Sequence, residues 1–195
     1  MSTLFTTDGL TVRNLRRDEV PALQALFEAN PGYFLTVSGR PPLPDEAQVE
    51  YDELPPPHLT FSERWFAGVF GAQGTLHGVL IVVSDLVAEG VWHIALLLLD
   101  GAIRGTGVAR RLHAALEEWA MAQGARWMRL SVMCGNAVAE RFWSKCGYEE
   151  VRTRPYLNAS GQPVTARVMI KSLTGAAMAD YLARVPRDAP GSELA

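Results

Sequence analysis

Cysteine is scarce in this chain. Cys134 and Cys146 are the two present in 195 residues, and neither belongs to a Cys-x-x-Cys pair or a Cys/His cluster, so no zinc site is suggested and no metal is expected. The usage suits a reducing cytosol. Long apolar runs are also missing: none approaches the ~18 to 20 residues of a membrane span. The first eight residues, Met-Ser-Thr-Leu-Phe-Thr-Thr-Asp, lack the basic start and apolar core of a leader. The expectation is a soluble, unprocessed, cytoplasmic protein with no membrane partner. Charge of one sign is not in excess either. The formal net charge is −3, which removes the general electrostatic case for a nucleic-acid partner. Lysine is nearly absent, Lys145 and Lys171 standing among 18 cationic residues, and the phosphate-binding Gly-Lys-Ser/Thr signature does not occur.

What is present is globular: 48% hydrophobic and 20% charged residues, in a length that fits one domain with a full core. Residues 1–185 are expected as that domain and residues 186–195 as a frayed tail. Residues 10–16 alternate like an edge strand, and a helix follows from Asp18 to about Ala29, closed by Asn30-Pro31-Gly32. A Pro-rich irregular stretch (38–60) encloses a short acidic helix from Asp45 to Glu53. A β-meander comes next, over 65–70, 75–84 and 91–99. Helix 107–123, strand 127–133, a helix from Asn136 to about Cys146, strands near 147–151 and 166–172 and a helix over 174–185 complete the order. Strand 127–133 runs parallel to strand 91–99 if the helix between them is a right-handed crossover.

The most informative stretch is Arg104-Gly105-Thr106-Gly107-Val108-Ala109. It lies between the apolar run 94–99 and an amphipathic helix whose apolar face is Val108, Leu112, Ala115, Leu116, Trp119 and Ala120. A strand, a glycine turn and a helix start make an anion-binding element, because N–H groups without intrahelical partners point out of the turn and the helix dipole adds about half a positive charge. A second motif follows 32 residues on: Asn136, Ala139, Phe142, Trp143, Gly147 and Tyr148.

Together the two motifs resemble those of the GNAT superfamily, the acyl-CoA-dependent N-acetyltransferases. That family carries Arg/Gln-x-x-Gly-x-Gly/Ala after its fourth strand, matched by Arg104, Gly107 and Ala109, and then Asn-x-x-Ala with a later aromatic and Gly-aromatic pair. The resemblance implies an α/β (α+β) fold with a mixed, mostly antiparallel sheet of six to seven strands, one splayed parallel pair and about four helices. It also implies acetyl-CoA as co-substrate and a homodimer. The acceptor would be an amine, on a small molecule or a protein N-terminus.

On that resemblance, the pyrophosphate rests on N–H groups from Arg104, Gly105, Thr106, Gly107, Val108 and Ala109. Pantetheine lies along Leu97, Leu98 and Leu99, where a β-bulge opens the sheet, and a backbone N–H near Leu97 or Leu98, with Leu98 taken as the catalytic position, serves the oxyanion. Arg110 and Arg111 either reach a CoA phosphate or form a solvated face. Asn136 either caps its helix or bonds the CoA arm. Trp143 belongs with the cofactor-binding positions, yet it stands where many members have a tyrosine that protonates the departing thiolate. Indole cannot do this, so the acid is unassigned and solvent could serve. His93, on the alternation that puts it with Ala95, Leu97 and Leu99, is either the catalytic base for the amine or a partly buried core residue. Tyr148 reads as core. Asp85, Glu89 and the acidic stretch 45–53 either attract a cationic acceptor or are solvated. A non-catalytic CoA-binding module is the alternative to an enzyme.

Overall fold

Apolar runs punctuated by glycine build one eight-stranded sheet in the computed structural model, which describes residues 2–194. Strands β1 (Thr3–Thr7), β2 (Leu10–Asn14), β3 (Arg64–Phe70), β4 (Leu76–Val83) and β5 (Val91–Leu99) are successive antiparallel neighbours. β6 (Trp127–Met133) joins β5 in parallel, and β8 (Pro163–Ser172) lies between β6 and β7 (Glu149–Leu157). The α-helices among the described residues are α1 (Val20–Glu28), α2 (Pro31–Ser38), α3 (Glu46–Asp52), α4 (Val108–Ala122), α5 (Ala137–Lys145) and α6 (Met178–Arg184). The parallel pair and the acidic helix stand where expected. The strand and helix totals exceed the expected six to seven and about four.

Both additions have local causes. β1 is short, but Asp8-Gly9 links it to β2 with two successive positive φ angles, 50° and 73°, as a two-residue hairpin turn needs. Asn30-Pro31-Gly32 does not simply end a helix. Pro31 opens α2, because its missing N–H and fixed φ cost nothing at a first helical position.

Alternation sorts the core onto two faces. Leu80, Val82, Trp92, Ile94 and Leu130 pack with Leu112 and Leu116 of α4 and Trp143 of α5. On the other face, Val79, Ile81, Leu96 and Leu98 meet Leu23, Leu26 and Phe27 of α1 and Phe34 of α2. Beyond them Trp127, Val168 and Ile170 cover Tyr181 of α6. The expected tail is corrected at its start. Pro186–Asp188 forms a 3-10 turn, and Asp188, with 0% of its surface exposed, takes two hydrogen bonds from Arg129, at 2.7 and 3.0 Å, and one from the Tyr181 hydroxyl at 2.6 Å. A partner 59 residues away in sequence carries no local signal.

Candidate active site

The sheet opens at a single residue. Ile81 pairs with Leu96 and Val82 with Ile94, so Ala95 is a bulge with no partner in β4. Pairing of β5 with β6 stops at the same level, Ile94 with Leu130. Beyond it Leu96–Leu99 pair with β4 alone and residues 131–133 with β8 alone. Ala95 and Ser131, both within internal strands, are exposed at this parting.

The bulge reverses the alternation on which His93 was placed. Leu97 and Leu99 pack toward α4 with Ile94, whereas His93 lies on the opposite face with Val91 and Arg129. His93 Nδ1 lies 3.2 Å from Arg129 Nη1; arginine only donates, so Nδ1 accepts. Burial, then the Arg129 charge, push the His93 pKa down to about 3. The backbone of the gap is also ordered by alternation. Asp100 N–H donates to His77 C=O at 2.7 Å, on the β4 side. Leu96 and Leu98 therefore turn their N–H groups to β4, and Leu97 and Leu99 turn theirs to the gap. Of the two N–H groups expected near the oxyanion, that of Leu98 thus points to β4 and that of Leu97, next but one to the bulge, points to the gap. The Leu98 side chain packs beneath α1 and α2.

The glycine turn ends this strand. Arg104 N–H is used within the turn, donating to Gly101 C=O at 3.2 Å, which corrects its place among the open donors. Its side chain is also tied down, giving Nε to Leu99 C=O at 2.9 Å and Nη2 to Asn30 Oδ1. Buried Asn30 in turn donates to Leu26 C=O at 2.7 Å, so the turn is anchored to the α1–α2 junction. From Gly105 through Ala109, five successive N–H groups have no acceptor among the described residues. Gly107 begins α4 at φ 81°, and a Cβ there would lie 2.8 Å from Arg111 Nη1. Arg111 itself is held by Asp8 and by Thr106 C=O at 3.2 Å, and Arg110 is exposed.

The second motif sits against α4. Asn136 Oδ1 accepts from Ala139 N–H at 3.2 Å, a helix cap. Trp143 is 8% exposed and packs edge-on to His113, Phe142 and Tyr148, with centroid distances of 5.5, 4.8 and 5.3 Å, so little indole surface is left for a ligand. Tyr148 is core, its hydroxyl 3.0 Å from His113 Nε2, and burial then the Lys171 charge push His113 down to about 4. His113 gave no sequence signal beyond its place on the helix.

A contact ties the end of α2 to the β7–β8 turn. Ser160 Oγ, in the β7–β8 turn, donates to Ser38 C=O at 2.7 Å, and Gly39 (φ 72°) meets Gln162 and Asn158 so closely that a Cβ would stand 2.8 and 2.9 Å from their side chains. Behind it Tyr156 donates to Met133 Sδ at 3.4 Å, and Tyr33 senses the charges of both Tyr156 and Glu50. Within the acidic stretch, Glu46 pairs with Arg40 at 2.7 Å and Asp52 with Arg17 at 2.6 Å. Glu50 is instead pushed up to about 7 by burial and the neighbouring Glu53, against the pull of Arg64. Asp85 holds its own turn, accepting from Gly90 N–H at 2.7 Å.

A model of the acetyltransferase (GNAT) family matches residues 23–148. No curated protein is significantly similar to the chain. Among solved structures, a GCN5-related N-acetyltransferase from Kribbella flavida is 22% identical, with a TM-score of 0.62 over 86% of this chain and 99% of that one. Spermidine N-acetyltransferase from Vibrio cholerae, in complex with CoA and spermine, is 18% identical, with a TM-score of 0.65 over 86% and 98%. The ribosomal-protein-S18-alanine N-acetyltransferase from Escherichia coli is 16% identical, with a TM-score of 0.60 over 87% and 97%. At these identities the likeness is one of fold. No helix among the described residues is long and apolar enough to cross a membrane.

Proposed function

We propose, for a chain that belongs to the acetyltransferase (GNAT) family, that it transfers an acetyl group from acetyl-CoA to a primary amine. The observation that carries this reading is the row of open N–H groups from Gly105 to Ala109, at a helix start and beside a gap in the sheet. A pyrophosphate has the acceptors and the charge that such a row binds. The unpaired edges of β5 and β6 beyond Ile94 and Leu130 suit the amides of an extended pantetheine arm, in the manner of an added strand. When bound, acetyl-CoA supplies an acyl group activated as a thioester.

The chain's own groups then position and stabilise. The Leu97 N–H, facing the gap, is the donor for the carbonyl oxygen as it gains charge. The amine nitrogen bonds to the carbonyl carbon as the carbon–sulfur bond breaks. Of the two protons a protonated amine gives up, one leaves on the CoA thiol and one goes to a base or to water. His93, neutral and already accepting from Arg129, is poorly suited to take it. Glu50 of α3, its carboxyl pushed up to about 7 by burial and Glu53, is the group whose substitution tests that role.

Calorimetric titration with acetyl-CoA, CoA and inorganic phosphate tests the reading. Acetyl-CoA should bind, and Gly107→Trp, which cannot hold φ 81° without strain and meets Arg111, should abolish binding while circular dichroism stays unchanged. Absence of binding to the wild type would end the acetyltransferase reading. A second reading, a CoA-binding module without turnover, is favoured by one observation: buried Trp143 offers no acid where a tyrosine is usual. Thiol release with any amine decides against it.

A further inference from the structure

Four arginines gather beside the parting of the sheet, with one carboxylate among them in the described residues. Arg129 holds that carboxylate, Asp188, in a two-pronged pair. Burial and the charges of Arg187 and Arg152 push Arg154 down, burial and the charges of Arg129 and Arg152 push Arg187 down, and Asp188 offsets part of each. Their recorded bonds go to main-chain carbonyls, which carry no charge. Arg152 donates to Arg187 C=O and to Ser192 C=O at 2.9 Å, and Arg154 donates to Arg187 C=O and Leu194 C=O, both at 2.9 Å. Among the described residues, Nε of Arg152, Nε of Arg154, and Nε and Nη1 of Arg187 are buried with no acceptor. Buried donors without partners are rare in folded proteins, and a charged one is costly. A cluster with surplus positive charge and unmet guanidinium donors is short of an anion with two or more oxygens.

The register says where that anion would lie. Ser131 pairs with Val168, and Val168 with Arg152; Met133 pairs with Ala166, and Ala166 with Arg154. Directly opposed residues share a face, so the two arginines stand on the face of exposed Ser131, two strand spacings or about 10 Å across. The Arg187 charge is felt at His93, on the other side of Ser131. The cluster therefore flanks the place where the acceptor must meet the thioester.

We propose that Arg154 and Arg187 form an anion subsite of the acceptor pocket, and that the acceptor is an amine carrying a carboxylate or phosphonate a few bonds away, as in an amino acid. The assignment rests on the acetyl-transfer reading above. A polyamine would meet net positive charge here, four guanidinium groups against the Asp188 carboxylate.

The test is thiol release by the full chain with acetyl-CoA, comparing each amino acid with its amide, which keeps the amine and loses the carboxylate, and with spermine. The free acids should be favoured by ~10-fold or more in kcat/KM, since a site built for charged donors rejects an analogue that leaves them unpaired. Arg187→Gln, or Arg154→Lys where the first folds poorly, should raise KM for the acid ~10-fold, leave the amide within about two-fold and leave acetyl-CoA affinity unchanged. Amides used as well as acids, spermine as the best substrate, or an acid preference that survives both substitutions would overturn the subsite. If acetyl-CoA binds and no amine is acetylated, inorganic phosphate titrated into the CoA-saturated protein decides. Saturable binding lost in Arg187→Gln supports the cluster, and no binding, or binding unaffected by the substitution, rejects it. Failure to bind acetyl-CoA would instead remove the transfer reading, and the same phosphate titration would still judge the arginines.

Discussion

His93 and His113 are both held neutral by their surroundings, on opposite faces of the sheet. Burial comes first in each case, aided by Arg129 for one and Lys171 for the other. With folded pKa values of about 3 and about 4 against an unfolded value of 6.5, the unfolded chain binds more protons in the window between. Stability is therefore complete above pH 6.5 and declines on acidification through that window, by up to ~1.4 kcal/mol per pH unit for each histidine. Urea unfolding between pH 7 and 5 should show this slope, and His93→Gln should reduce it; an unchanged slope would mean that His93 is protonated in the fold. Glu50 behaves in the opposite sense, its carboxyl raised to about 7. If it accepts the amine's proton, kcat/KM rises with pH through about 7, and Glu50→Gln lowers the rate ~10²-fold and removes that inflection. A profile that keeps its inflection in the variant would assign the proton to water or another group.

Ala95 is a one-residue device with consequences along a whole strand. Deleting it should make the β4–β5 ladder continuous, with Trp92, Ile94 and Leu96 kept on their present faces, and extend the β5–β6 ladder across the gap. Acetyl-CoA binding should fall by at least ~10²-fold in calorimetry, with β-sheet circular dichroism retained; wild-type affinity after deletion would show that the bulge does not make the gap. This strand also marks the limit of what the sequence could reveal. The apolar run 94–99, the two glycines and the period of α4 are local patterns, so the strand, turn and helix were legible, as was the Asn136 cap. The bulge is a relation between β5 and β4, and nothing within Ile94-Ala95-Leu96 announces its position; unbroken alternation therefore puts His93 on the wrong face and does not separate the N–H of Leu97 from that of Leu98. Pro31 misled for a different reason, since the same residue stops one helix and starts another. Asp8-Gly9 carried a hairpin signal that a five-residue partner strand made easy to overlook.

Across the whole molecule, two blocks of sheet, β1–β5 and β6–β8, meet through only the four residue pairs from Val91–Trp127 to Ile94–Leu130. The Arg129–Asp188 pair sits at this seam and ties the end of the chain to it. Asp188→Ala would leave the guanidinium buried and unmatched, and stability to urea should drop by about 3–5 kcal/mol; a loss below ~1 kcal/mol would show that Arg129 finds other partners. The Ser160–Ser38 contact bridges the same two blocks from the far side of the gap. The turn that faces this gap has a property of another kind. Its five open donors belong to the peptide backbone, so their identity is written in torsion angles rather than in side chains. Alanine substitutions along 104–108 would remove none of these donors, and would strain the turn itself where φ is positive, at Gly105 and Gly107. Side-chain inventories, whether by mutagenesis or by identity score, are nearly blind to such a site.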